Sequence, residues 1–276
     1  MYTLTKPLFG KETEILLPDA DPLLASPIAE DAYQEGLRLQ HVFNFYDPQS
    51  ELSLLNGKRT LTTSPELTQV LKLAISLAKA TEGRYDISLG KQFLQRKQGT
   101  PVTPVGCSYR DISINGNTVT LTHPDVLIDL GSIAKGFIGD RMMAALAHQG
   151  VTSATVDARG DLCVIGKDII DIQHPRDASK IIASIQVNDC GVATSGDYLQ
   201  YDKTFDKSHI LNAKKIASVT VVAPTLMEAD AFATVLFVID DAERKQILAA
   251  YPAIRALIID TSLTMQMYND FERLLA

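Results

Sequence analysis

Past Gly99 the sequence gives up the 3.6-residue apolar period of its first third and breaks into short alternating runs, which few folds allow. Residues 112–114, 118–121 and 126–128 read as strands, the first two joined across the turn Asn115-Gly116-Asn117. Further strands are expected at 153–157, 162–165, 169–173, 181–187, 216–223, 255–260 and 264–268, with an early one from Thr13 to Leu17. Helices are expected behind Ser26-Pro27 and Ser64-Pro65, from Ser132 to Gln149, and from Thr225 to about Ile239. Asp240 with Glu243 announces another. The class is α+β, with mixed, mainly antiparallel sheets. Pro and Gly are scattered as turn punctuation and no linker or repeat interrupts the chain, so residues 1–276 are expected to form one domain.

Charge narrows the partners. With 26 basic and 33 acidic residues the net charge is −7, and no Lys/Arg block could track a nucleic-acid backbone. Acidity does not bar a phosphate-bearing cofactor, because backbone N–H groups and one metal ion can hold a small anion. Cys107, Cys163 and Cys190 are far apart and odd in number, which argues against a disulfide framework or thiolate metal site. The opening residues show no signal-peptide pattern and no stretch reaches the ~18 apolar residues of a membrane span, so a cytoplasmic chain is expected.

Three segments could carry chemistry. In VLIDLGSIAKGFIGDR (126–141), an apolar run delivers Asp129, Gly131 permits a tight turn, and a following helix would aim free N–H groups back at that turn. Lys135 in its first turn opposes the helix dipole, which an anionic partner would explain. Asp129 reads equally well as an anion-site residue and as a plain capping carboxylate. In TLMEADAFATVLF (225–237), Asp230 and Thr234 lie four apart and share a helix face, presenting the hard oxygens magnesium prefers. Their neighbours are apolar, so the carboxylate is costly unless it is paired, binds a cation or sits at the rim. The third segment, 191–212, is read as a polar turn at Thr194 to Asp197, with a lone His209 that fits a structural role as well as a catalytic one. No GxGxxG after a strand, Walker loop, HExxH or GxSxG is present.

In order along the chain, these segments resemble the ApbE family of FAD:protein FMN transferases. IDLGSIAKGFIGD is similar to that family's DLGGIAKGYAVD, TSGDY with SHI to its ATSGDY…HHI, and VVAPTLMEADAFATVLF to its VVAP…MEADALATALF. FGKETEI, FYDPQSELSLLN and ATEGRYDIS are weaker matches to its MGT, YxPxSELSxLN and TxGAFDPT. The resemblance implies helices flanking a flavin-binding cleft, FAD as donor, Mg2+, and transfer of FMN to a Thr or Ser hydroxyl of an acceptor flavoprotein with release of AMP. It also implies that Asp230, Thr234 and the Ser132 carbonyl hold the metal. Phe9, Tyr46, Arg84, Tyr85, Asp86, Asp129, Lys135 and Ile210 are implied to hold FAD, with His209 beside the pyrophosphate. An acceptor hydroxyl needs a base or a metal to become nucleophilic, and Asp230 is the first catalytic candidate for that, His209 the second. The chain departs from the family at DARGD (157–161), where NAGGD is usual, and at Asn212 to Lys215, where DPRTG is usual. An Mg-dependent FAD pyrophosphatase and a non-catalytic FAD-binding protein are the alternatives.

Overall fold

A computed structural model describes residues 1–197 and 215–276. The chain opens with a hairpin, β1 (Tyr2–Leu8) and β2 (Lys11–Leu17), whose turn residues Phe9 and Gly10 both have positive φ. Helices α1 (Pro22–Phe43) and α2 (Glu51–Lys58), the short β3 (Thr60–Thr62), and helices α3 (Pro65–Ala80) and α4 (Gly90–Lys97) follow. Next come β4 (Ile112–Asn115), β5 (Thr118–Leu121), α5 (Ala134–His148), β6 (Ala154–Asp157), β7 (Leu162–Gln173), β8 (Ile181–Gly196) and β9 (Ile216–Ala223). The chain closes with α6 (Leu226–Val238), α7 (Asp241–Ala250), β10 (Arg255–Asp260) and β11 (Met265–Tyr268).

The strands form an eight-stranded sheet in the order β1-β2-β6-β7-β8-β9-β10-β11 and a three-stranded sheet in the order β3-β5-β4, every ladder antiparallel. The α+β expectation holds. Strand β10 explains why the sheet has cores on both faces: Ala256 and Ile258 join the large helical core, while alternate residues Leu257 and Ile259 join a smaller cluster around Phe271.

Several local expectations are corrected. The first strand of the chain, β1, carried only a polar-apolar alternation and was not anticipated. Helix α1 starts at Pro22, not at Ser26-Pro27: Asp21 accepts a hydrogen bond from Leu23 N, and Pro27 sits inside the helix. The polar run YDPQSELSLLNG, whose composition predicts a turn, also holds a helix, because Ser50 accepts from Ser53 N and starts α2. Residues 126–128 form no strand; Leu127 makes one isolated bridge to Leu89. Thr194, Ser195 and Gly196 finish β8 rather than forming a turn, since their backbones pair with β9. Residues 162–165 and 169–173 are one continuous strand.

Helix α6 is buried on nearly all sides, and its entry is unusually close to its neighbours. A methyl group at Gly136 would lie 2.4 Å from the Leu226 carbonyl oxygen, and one at Gly191 would lie 2.3 Å from Leu226 Cα. Both obstacles are backbone, so neither can swing aside. Gly136→Ala is therefore expected to cost about 3 kcal/mol despite the better helix propensity of Ala, lowering the melting midpoint by about 6–12 °C. An unchanged midpoint in calorimetry would contradict that packing.

Candidate functional site

The acid singled out in the sequence, Asp230, lies on the fifth residue of α6 with only 4% of its surface exposed. Its Oδ1 accepts from Lys135 Nζ at 2.8 Å and its Oδ2 from Gly136 N at 3.1 Å. Lys135 Nζ also lies 2.7 Å from Oδ2 of Asp161, a second acid that is 6% exposed. One ammonium thus holds two buried carboxylates. Burial pushes the Asp230 carboxyl up to about 6, with Lys135 pulling against that rise and Asp161 adding to it. The same two acids hold the Lys135 ammonium above its ordinary range although burial opposes the charge.

Thr234 stands one turn along α6, and its hydroxyl lies 3.2 Å from Ser195 Oγ on β8. Ser132 belongs to the turn before α5, its hydroxyl 2.9 Å from the Tyr85 hydroxyl. Tyr85 is buried, and that burial raises its phenol above the usual range. All of these groups line one cleft of about 960 Å³, at the upper end of the ~300–1,000 Å³ expected of ligand pockets. Phe9, Tyr46, Arg84, Asp86 and Asp129 line it too, so the structure gathers every described residue that the sequence nominated. His209 and Ile210 lie outside the described residues.

The nominated residues do different local work. Asp129 Oδ1 accepts from Gly131 N at 2.9 Å, fixing the turn rather than capping α5 itself, and burial raises its carboxyl. Helix α5 begins at Ala134, two residues later than expected, and its cradle is narrower than the sequence implied: Ala134 N already donates to Leu130 O, and Gly136 N to Asp230. Asp86 spends both oxygens on backbone, accepting from Ser88 N at 2.9 Å and Tyr109 N at 2.8 Å, so it braces the cleft wall. Arg84 pairs with Glu243 at 3.4 Å on the surface. Tyr46 is 58% exposed and accepts from Lys97 Nζ at 2.7 Å at the cleft's edge.

Sequence reasoning assigned no role to Asp161, Lys97 or Gln40, all of which line the cleft. For Asp161 a signal existed, since it ends the DARGD segment. Arg159 in that segment adopts a left-handed φ of 67° and donates to the Phe9 carbonyl at 2.9 Å, tying this loop to the first hairpin.

Among the described residues no group of three or more His, Cys, Asp or Glu side chains could cage a metal. Among the described residues that line the cleft there is no Cys or His. The described lining offers oxygens instead, among them the buried Asp230 carboxylate, the Thr234 hydroxyl and Ser132, donors of the hard kind that suit magnesium. No helix among the described residues is long and apolar enough to cross a membrane.

A family model described as the ApbE family matches residues 9–258. An FAD:protein FMN transferase of Haemophilus influenzae is 32% identical over 253 residues, covering 76% of this chain and 73% of that protein. One from Klebsiella pneumoniae is 24% identical over 273 residues, covering 86% and 82%. The crystal structure of the ApbE protein from Thermotoga maritima superposes with a TM-score of 0.85 at 24% identity, covering 100% of this chain and 99% of that one. The flavin transferase ApbE from Vibrio cholerae gives 0.80 at 24% identity, covering 99% of each chain.

Proposed function

The chain belongs to the ApbE family, and from that premise we propose that it transfers FMN from FAD to a Thr or Ser hydroxyl of an acceptor flavoprotein, with Mg2+ at the diphosphate. The observation that carries the reading is the meeting of Asp230, Thr234, Lys135 and Ser132 in one cleft that Phe9 and Tyr46 also line. Asp230, Thr234 and the Ser132 carbonyl are the residues that would hold the metal. When bound it would act as a Lewis acid toward the phosphates.

In the transfer, the acceptor hydroxyl oxygen bonds to the FMN phosphorus, the bond from that phosphorus to the bridging oxygen breaks, and AMP leaves with the electron pair. The hydroxyl proton must go to a base. Asp230, ionised at neutral pH with its carboxyl near 6, is the described group proposed for this; His209 is the other candidate. Lys135 keeps a positive charge beside the developing phosphate charge because two acids hold its proton in place. Phe9, Tyr46, Arg84, Tyr85, Asp86 and Asp129, with Ile210, are proposed to shape the flavin pocket. One domain spanning residues 1–276 remains our reading of the architecture.

Incubation with FAD, Mg2+ and a candidate acceptor tests the proposal. FMN attached to the acceptor with AMP released supports transfer. Free FMN with AMP would identify a pyrophosphatase, and no turnover would leave only FAD binding.

Metal dependence supplies a further expected result. FAD should bind more weakly in a chelator, because the diphosphate loses its counter-ion. The sign with pH follows from the raised carboxyl: above about 6 Asp230 is a carboxylate ligand, and as pH falls through that value a proton takes its place. The Mg2+ concentration for half-maximal FAD binding should therefore rise about fivefold from pH 6 to pH 5, because the carboxyl is already half protonated at pH 6. A flat profile measured by flavin fluorescence would place the metal elsewhere.

A further inference from the structure

Asp140 lies far enough along α5 to have no contact with the carboxylate of Asp230, yet the two acids do matching work. Helix α5 starts without a side-chain cap of its own, its N-cap residue being Ile133. The third N–H of that helix, on Gly136, is satisfied by Asp230 of α6 at 3.1 Å. One turn further along α5, Asp140 returns the favour: its Oδ1 accepts from Leu226 N at 2.7 Å and its Oδ2 from Met227 N at 2.9 Å, the first two N–H groups of α6. The cap of α6's own strand side covers only the next one, Thr225 Oγ1 accepting from Glu228 N at 3.2 Å. The reciprocal bond expected of a capping box is absent, because the Thr225 hydroxyl donates to Glu228 Oε2 instead.

Each helix therefore caps the other with a carboxylate. Glycine makes this possible: a methyl group at Gly139 would meet Leu226 Cδ2 at 2.7 Å, and at Gly136 the Leu226 carbonyl blocks any side chain. With the helices this close, a shift of α6 along α5 breaks bonds at both ends at once. Asp140 also closes the segment IDLGSIAKGFIGD, and neither the flavin pocket nor the metal set uses it.

We propose that Asp140 is a positioning residue, which clamps the start of α6 onto α5 and so fixes Asp230 and Thr234 opposite Lys135 and the Ser132 turn. It touches no substrate. Its bidentate grip sets where the acid of the metal set stands, one helical turn away on the same rigid element. A charge-assisted pair of bonds to backbone N–H groups is suited to this, being both directional and stronger than neutral ones. The activity arm of the test rests on the transfer reading; the exchange arm does not.

Asp140→Asn keeps the shape but turns one acceptor into a donor facing an N–H. In the variant, folded by circular dichroism at 20 °C, the Mg2+ concentration for half-maximal FAD binding should rise at least tenfold. Its kcat should fall at least tenfold while KM for FAD at saturating Mg2+ stays within threefold. Thr225→Ala, which removes the local cap of the same helix end, should lose comparable melting temperature with kcat within twofold of wild type. Loss of melting temperature in Asp140→Asn with unchanged kcat and Mg2+ response would overturn the proposal and leave Asp140 a plain cap. Hydrogen exchange in the unmodified chain covers the case of a variant that fails to fold. The amides of Leu226, Met227 and Gly136 should open together and slow by similar factors, within threefold, on adding Mg2+ and FAD. Independent exchange of Gly136 would refute the clamp. If the unmodified chain releases no AMP from FAD, the transfer reading fails, while the exchange result still decides the clamp.

Discussion

Asp230→Asn is expected to lower AMP release from FAD by about three orders of magnitude or more while the chain stays folded. The substitution keeps the volume of a side chain buried in α6, so packing is undisturbed. Removing one partner of a buried ion pair usually costs ~3–5 kcal/mol, because the other charge is stranded. Here Lys135 keeps Asp161 at 2.7 Å, so the stability loss should fall well short of that range. Function has no such reserve. Asp230 is the one carboxylate in the proposed metal set, and the several kcal/mol a Lewis acid supplies to phosphoryl chemistry corresponds to about a thousandfold or more in rate. Chromatographic assay of AMP at saturating FAD and Mg2+ checks it; a variant that keeps a tenth of wild-type turnover would remove Asp230 from the site.

Lys135→Met should act in the opposite order, on stability before anything else. It leaves Asp161 and Asp230 buried side by side with no cation between them. A penalty of ~3–5 kcal/mol follows, which for a chain of this length lowers the melting midpoint by roughly 6–20 °C. Its pH dependence has a definite sign. Without the ammonium the Asp230 carboxyl loses the one charge that pulls it down while burial and the Asp161 charge still push it up, so its protonated form folds better and stability is lost as pH rises. The gap to wild type should be widest at pH 7–8 and narrow toward pH 5. Mg2+ should also stabilise the variant more than the wild type, since it supplies the missing positive charge. Melting curves across pH with and without Mg2+ read all of this, and a gap that widens on acidification would contradict the ion-pair geometry.

Elements whose local signals agreed with their packing could be read from the sequence. Helix α3 had its Ser64-Pro65 start and an apolar stripe, the β4–β5 hairpin its Asn-Gly turn, and α7 its Asp240-Glu243 capping box, and each forms as expected. The misreadings have local causes. Pro27 looked like a helix start because proline favours the first turn, but Asp21 caps α1 ahead of Pro22 and leaves Pro27 inside the helix. The run at 126–128 was apolar enough for a strand, yet only one bridge forms beside it.

The site shows the same division. Asp230 and Thr234 could be paired from their spacing of four on one helix. That Lys135 sits on Asp230 could not, because 95 residues separate them and only the packing of α5 on α6 brings them together. Asp161 was harder still: it follows the αL turn at Arg159-Gly160 at the end of β6, and its carboxylate reaches the site only because β6 and β7 run beneath α5. Asp140 read as one more acid in a helix, with nothing in its spacing to say that it caps a different one.

The proposed transfer depends on a metal held by Asp230, Thr234 and the Ser132 carbonyl against the diphosphate of FAD. Crystals grown with FAD and Mn2+ test it through anomalous scattering. The expected result is one peak at ~2.1 Å from oxygens of those three residues and in contact with the diphosphate, with Lys135 beside the phosphates. A diphosphate bound away from Asp230, or a metal peak that none of the three residues touches, would contradict it.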